Sequence, residues 1–236
     1  MAGPGAGIWR GALKPHPAGA AGSHRAAAQD ATALQVRVFS AADRIALDSS
    51  TKAVVIADLG CAQGMATALL IRSSVESIRT RSPHIPIHVV HNDVLQNDWA
   101  GLYEALRREE SYLRVREGPI TPMTAACSFY QLVMPPGVLN LGLSFAALQW
   151  LERPGPASAG TALFFDQLAG AEALEMAEQA HQDWSRFLAL RAIELAPGGC
   201  LVLVMMGRHP NGSATGHTLW AAIRAIAEEL VLEGRI

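Results

Sequence analysis

The sequence has no apolar stretch long enough to cross a bilayer. Its longest candidate, Cys200 to Met206, has the length of a buried strand. It also lacks a strong charge of either sign. The 19 Lys and Arg against 21 Asp and Glu leave a formal net charge of −2, which argues against a broad basic surface for nucleic acid. Cysteine is scarce: Cys61, Cys127 and Cys200 form no CxxC pair and stand among apolar neighbours. They read as small buried hydrophobes, and no metal is expected. The N-terminus shows no apolar core behind a basic start and little arginine, so no secretory or mitochondrial leader is expected and a cytoplasmic location is. Two phosphate-binding patterns are missing. No GxxxxGK[ST] loop is present, which disfavours a nucleoside triphosphatase, and the full GxGxxG dinucleotide pattern is absent.

What is present is material for a core. Half of the 236 residues are hydrophobic, enough for one α/β core plus a tail. Residues 1–30 are rich in Ala, Gly, Pro and His without helical or strand periodicity, and read as a disordered or loosely packed segment. Residues 31–236 read as the folded domain, with room for one helix before Ser50. Ala53 to Ala57 is a continuous apolar run ending at Asp58-Leu59-Gly60, the mark of a strand buried on both faces. Helical spacing follows from Met65 to Arg81, with Leu69, Leu70 and Ile78 inward, until Pro83 and Pro86. Ile87 to His91 is a second strand, and Asp98 to Leu113 a second helix with Trp99, Leu102 and Leu106 on one face. Met123 to Cys127 and Val138 to Leu143 are further strands, the first weakly written. Glu172 to Ala196 is a long helix with Leu174, Ala177, Trp184, Phe187 and Leu188 inward, stopped by Pro197-Gly198-Gly199. Cys200 to Met206 is the clearest strand, and Thr218 to Leu232 a last helix. Strands alternating with helices predict an α/β fold with a doubly wound, mostly parallel sheet. Ile56, Leu59, Val89, Leu141, Val202 and Val204 are expected at its buried centre.

Ligands of such sheets bind at the carboxyl ends of the strands. Asp58 to Gly64 lies there, between strand and helix, and Gly60 and Gly64 let the backbone bend and approach a ligand. A helix N-terminus beyond the turn favours negative charge. Asp93 ends the second strand, where an acid can accept both hydroxyls of a ribose; a turn or helix-start Asp is the alternative reading.

Five blocks in order, over residues 53–206, resemble the SABATH methyltransferases, which methylate small carboxylic acids and some ring nitrogens. Ile56 to Cys61 resembles the family's cofactor loop, and His91 to Asp98 its "NDLPxND" segment. Ser128-Phe129-Tyr130 with Met134-Pro135 is similar to "SFYxxLFP", and Ser144 to Leu151 to "SxxxLxWL". Trp184, Phe187-Leu188 and Arg191 to Gly199 resemble its "FLxxRAxELxPGG" helix and turn. The resemblance implies a Rossmann-like class I methyltransferase sheet with S-adenosyl-L-methionine as cofactor and a small carboxylic acid as acceptor. It implies that Asp58 and Gly60 hold the methionine part, Asp93 the ribose, with Val94 packing on the adenine, and Ser128 and Phe129 bind and flank the adenine. Gln149 and Trp150 would meet the substrate, Trp150 through its indole N–H. Otherwise Ser128 is a strand-end cap, and Phe129 and Trp150 are core aromatics.

Three departures stand out. Met65-Ala66 replaces the family's Pro-Asn pair after the loop. No clean copy of the opening "YxxxSxxQ" segment is present, because Ser23 and Gln29 have the wrong spacing. The family also continues with two more sheet strands and a helical cap, for which residues 207–236 are too few. Without them the apolar strand at Cys200 to Met206 has a free edge, and poor solubility or self-association, as in a homodimer, is expected. A carboxylate acceptor needs no general base, so no catalytic residue is assigned, and His91 and His181 read as core or surface histidines. Two alternatives compete with an active enzyme. One is a truncated relative that at most binds cofactor. The other, a nicotinamide-linked oxidoreductase, is disfavoured by the missing third glycine.

Overall fold

The computed structural model describes residues 33–48, 51–65, 67–153, 167–208, 210, 212 and 216–235. The segment at residues 1–30 and the loop insert at Ala157 to Gly160 lie outside the described residues. The strands are β1 (Val54–Leu59), β2 (Ile87–Asp93), β3 (Ile120–Ala126), β4 (Leu139–Phe145) and β5 (Leu195–Val204). The helices are α1 (residues 33–43), α2 (Ala68–Arg81), α3 (Trp99–Ala105), α4 (Gly170–Glu194) and α5 (His217–Leu232), with a 3-10 turn at Tyr112–Arg114.

The five strands form one sheet in the order β3-β2-β1-β4-β5, every adjacent pair parallel. The chain runs outward from β1 to β3 and then returns to β4 on the other side of β1. The strand order therefore switches between β1 and β4, which opens a crevice at their carboxyl ends. β1 is central and covered on both faces, which is why it is written as an unbroken apolar run. Val54 and Ile56 pack with Val38 and Ile45 of the α1 region and with Ile71, Val75 and Ile78 of α2. Ala57 and Leu59 face the other way, toward Tyr130, Leu148 and Phe187 of α4. Burial of each large aliphatic side chain is worth about 1.5–3 kcal/mol.

Ile56, Leu59, Val89 and Leu141 are buried as expected, whereas Val202 and Val204 are only half-buried. β5 is an edge strand, so fewer neighbours cover it. β3 is the opposite edge, begins at Ile120 rather than Met123, and is largely exposed, which explains its weak apolar writing and its tolerance of Pro122. The helix expected over Asp98 to Leu113 ends at Ala105 and resumes only as the 3-10 turn. Leu69 is 46% exposed, and α2 turns Leu70, Ile71, Val75 and Ile78 inward instead. In α4 the inward residues are Met176, Asp183, Phe187, Arg191 and Glu194, while Leu174 is 73% exposed. The hydrophobic pattern misplaced that face because its inward side is partly charged. The last helix forms as spaced, yet none of its described residues is buried.

Candidate functional site

The loop after β1 is bent at three positions with left-handed backbone, Gly60 (φ 76°), Ala62 (φ 46°) and Gly64 (φ 69°). A methyl group at Gly60 would collide with the Ala147 side chain. The amides of Gly60 and Cys61 both donate to Asn92 O, at 2.9 and 3.0 Å, which ties the loop to the end of β2. Asp93 completes the tie: Oδ2 accepts from Ala62 N at 2.7 Å, and Oδ1 from Val94 N at 2.8 Å. Asn97 Nδ2 donates to Ala62 O at 2.8 Å, so Ala62 is clamped on both sides. Left-handed alanine costs roughly 1–2 kcal/mol, a strain that the surrounding bonds must hold. Ala146, after β4, has the same conformation (φ 53°). Both residues line one cleft, and backbone strain collects at functional sites.

That cleft, about 580 Å³, lies at the carboxyl ends of β1, β2, β3 and β4. Its walls include Gly60, Asp93, Val94, Ser128, Phe129 and Trp150, so six of the eight sequence-predicted site residues meet there. Ser128 also caps its own turn, accepting from Tyr130 N at 3.1 Å. Phe129 sits edge-on to Tyr130 and Phe187, with centroids 4.7 and 6.1 Å away, and presents its remaining surface to the cleft. Trp150 is 72% exposed at the rim and is no core aromatic. Tyr130 Oη donates to Trp150 O at 3.1 Å, which fixes the rim backbone.

The other two, Asp58 and Gln149, are placed differently from the expectation, and so is the loop glycine Gly64. Gly64 is buried behind the turn and does not line the cleft. Gln149 faces a separate apolar chamber of about 190 Å³ with Tyr130, Leu148, Trp184 and Phe187, and its Oε1 is buried without a hydrogen-bond partner among the described residues. Asp58 is fully buried beneath the loop. Its Oδ2 accepts from Thr67 Oγ1 at 2.7 Å and lies 3.2 Å from His91 Nδ1, while Oδ1 has no partner among the described residues. Ligand atoms of Asp58, Cys61 and His91 lie within 4.8 Å of one another. Both His91 nitrogens are already engaged, with Asp58 and with Tyr112 Oη. Burial, reinforced by the Asp58 charge, pushes the Cys61 thiol far above its ordinary value and keeps it protonated. Asp58 and His91 form a hydrogen-bonded support beneath the loop, and the Cys61 thiol donates to Ala62 O.

A buried ion pair that sequence reasoning missed holds the far wall. Arg191 and Glu194 of α4 are both fully buried. Arg191 Nη1 donates to Phe129 O at 2.8 Å and Nη2 to Gln131 O at 2.8 Å. Nη2 also donates to Glu194 Oε1 at 2.9 Å, and that oxygen accepts from Val133 N at 2.6 Å. Arg191 Nε and Glu194 Oε2 are 2.8 Å apart but poorly aligned, so this contact is ionic rather than a formed hydrogen bond. The guanidinium also lies 5.1 Å from the Phe187 ring centroid. The segment that carries Ser128 and Phe129 is thus stapled to α4.

A glycine-bent loop at the switch point, an acid closing the next strand, and a cleft of ligand size thus meet at the carboxyl ends of a parallel sheet of the methyltransferase type. The chain belongs to the SAM dependent carboxyl methyltransferase family, whose model matches residues 23–236. It is 26% identical over 205 residues to Caffeine synthase 3 of Camellia sinensis, covering 80% of this chain and 56% of that protein. It is 28% identical over 221 residues to Probable jasmonic acid carboxyl methyltransferase 2 of Theobroma cacao, covering 84% and 59%. The chain thus spans little more than half the length of these relatives. The solved structure of loganic acid methyltransferase with SAH superposes with a TM-score of 0.69 at 23% identity, over 95% of this chain and 68% of that one, and shares the fold. No helix among the described residues is long and apolar enough to cross a membrane.

Proposed function

We propose that the protein binds S-adenosyl-L-methionine in the cleft and methylates the carboxylate of a small organic acid. The observation that carries this reading is the convergence of Gly60, Asp93, Val94, Ser128 and Phe129 on one cleft at the switch point, with Trp150 on its rim. The residues fit the cofactor. Asp93 keeps a lone pair on each oxygen for two ribose hydroxyls, Val94 and Phe129 offer apolar surface for a flat base, and Gly60 leaves room for the amino-acid end. The unpartnered, buried Asp58 Oδ1 supplies negative charge behind the loop for a cationic group. When bound, the cofactor supplies an electrophilic methyl group on a sulfonium.

The chain's own task is then alignment and exclusion of water. An acceptor carboxylate is ionised at neutral pH, so no base is required. Positioning of two reactants can contribute roughly 7–11 kcal/mol. Trp150 stands where its indole N–H can meet a carboxylate at the rim, and the chamber beside Gln149 offers apolar space for the acid's hydrocarbon part. The exposure of Trp150 favours a second reading, cofactor binding without efficient turnover, because nothing among the described residues covers that side. The net charge of −2 speaks against nucleic acid as partner, free cysteines fit a cytoplasmic location, and the exposed β5 edge and α5 face fit self-association, a homodimer in the simplest case. Transfer of a labelled methyl group from S-adenosyl-L-methionine to a panel of small aromatic and aliphatic acids tests the reading. Ester formation with the acids but not with their amides supports carboxyl methylation. Saturable cofactor binding without product selects the second reading.

A further inference from the structure

Four buried groups form one hydrogen-bonded chain under the β1 loop: Thr67, Asp58, His91 and Tyr112. Asp58 and His91 are register partners on adjacent strands, and Tyr112 comes from the 3-10 turn after α3. His91 Nδ1 lies 3.2 Å from Asp58 Oδ2, and His91 Nε2 2.9 Å from Tyr112 Oη, with the two rings 5.8 Å apart and nearly parallel. The polarity of this chain follows from its ends. Burial, with Asp58 nearby, pushes the Tyr112 hydroxyl far above its ordinary value, so it remains an O–H donor. The Asp58 carboxylate can only accept, so Nδ1–H donates to it, and Nε2 of the neutral ring is left to accept from the Tyr112 hydroxyl. Thr67 Oγ1 donates to the same oxygen, which leaves Oδ1 as the one unsatisfied acceptor of Asp58 among the described residues. The protonated Cys61 thiol, the Asp93 carboxylate and the Tyr103 hydroxyl also act on this cluster through space, and among the described residues none of them donates a hydrogen bond to it.

We propose that His91 and Tyr112 are positioning residues that orient the Asp58 carboxylate beneath Gly60 and Cys61, so that its charge acts on the ammonium end of the cofactor. This rests on the cofactor reading above and goes beyond it in assigning a role to a histidine and a tyrosine outside the cleft wall. A charge held in a dry interior acts through a low effective dielectric, so its orientation matters more than it would in water. A purely structural network would support the whole loop and every part of the ligand alike. An orienting relay affects only ligands that carry the ammonium group.

The test is isothermal titration calorimetry of the full chain with S-adenosylhomocysteine and with 5′-methylthioadenosine, which keeps the adenosine and sulfur but lacks the amino-acid end. His91→Leu is expected to weaken S-adenosylhomocysteine binding by about fivefold or more while methylthioadenosine affinity stays within about twofold. His91→Asn, whose amide N–H replaces the Nδ1–H donor, restores the affinity for S-adenosylhomocysteine. Nitrogen-15 NMR of the wild-type ring shows the proton on Nδ1, and Tyr112→Phe releases that preference. Should His91→Leu fail to fold, Tyr112→Phe gives the same selective loss in smaller measure. Equal losses for both ligands, or none, overturn the relay alone. A wild-type chain that binds neither ligand overturns the cofactor reading, and the relay with it.

Discussion

Replacing Arg191 by methionine tests how the far wall of the cleft is held. The guanidinium is fully buried and donates to two backbone carbonyls, Phe129 O and Gln131 O, and to Glu194. Methionine fills much of the volume but leaves Glu194 as a buried charge and strips two carbonyls of their donor. Breaking one side of a buried pair typically costs about 3–5 kcal/mol. At about 2–4 °C per kcal/mol for a domain of this size, the melting temperature is expected to fall by roughly 6–20 °C. Arg191→Met with Glu194→Leu removes the stranded charge, so the pair should cost less than the sum of the two single changes, a coupling of about 1–3 kcal/mol. Thermal unfolding followed by circular dichroism reads both values. A melting temperature for Arg191→Met within about 2 °C of the wild type, equivalent to less than about 1 kcal/mol, refutes the staple.

Other outcomes follow from the same contacts. Asp93→Ala removes the tether to Ala62 and the ribose acceptor together, and is expected to weaken cofactor binding at least about tenfold by calorimetry, about 1.4 kcal/mol. The Asp98 carboxyl is held below its usual range by the Gly101 N–H and then by Gln63 Nε2. Its contribution is present above the ordinary carboxylate value and lost as pH falls through the lowered one. Asp98→Asn should therefore flatten the acid limb of a melting-temperature profile below about pH 4. The α5 face exposes Leu219, Trp220, Ile223 and Ile226, so the chain should self-associate in sedimentation velocity, and Leu219→Lys with Ile226→Glu should shift it toward monomer.

Much of the sheet was legible because β1, β2 and β4 are central and therefore rich in apolar residues, most nearly unbroken in β1, with turn residues at their carboxyl ends. The acid at Asp93 and the glycine at Gly60 were readable for the same reason: position at a strand end carries chemical meaning. Edge strands blurred the pattern, as Pro122 in β3 shows. The inward face of α4 was misread because Arg191 and Glu194 are charged, and only their pairing makes burial tolerable. The left-handed Ala62 and Ala146 leave no signal in composition, since alanine does not announce that conformation as glycine does. Asp58, His91 and Tyr112 are far apart in sequence and meet only through strand register and the turn after α3. Gln149 and Trp150 are adjacent in sequence yet face different spaces, a distinction that adjacency cannot provide.

Whether one cleft at the β1–β4 switch point holds the cofactor is decided by a crystal structure of the chain with S-adenosylhomocysteine. The nucleoside is expected between Val94 and Phe129, both ribose hydroxyls on the Asp93 carboxylate, and the amino-acid end over Gly60. Ligand bound elsewhere, or ribose hydroxyls turned away from Asp93, would contradict that placement.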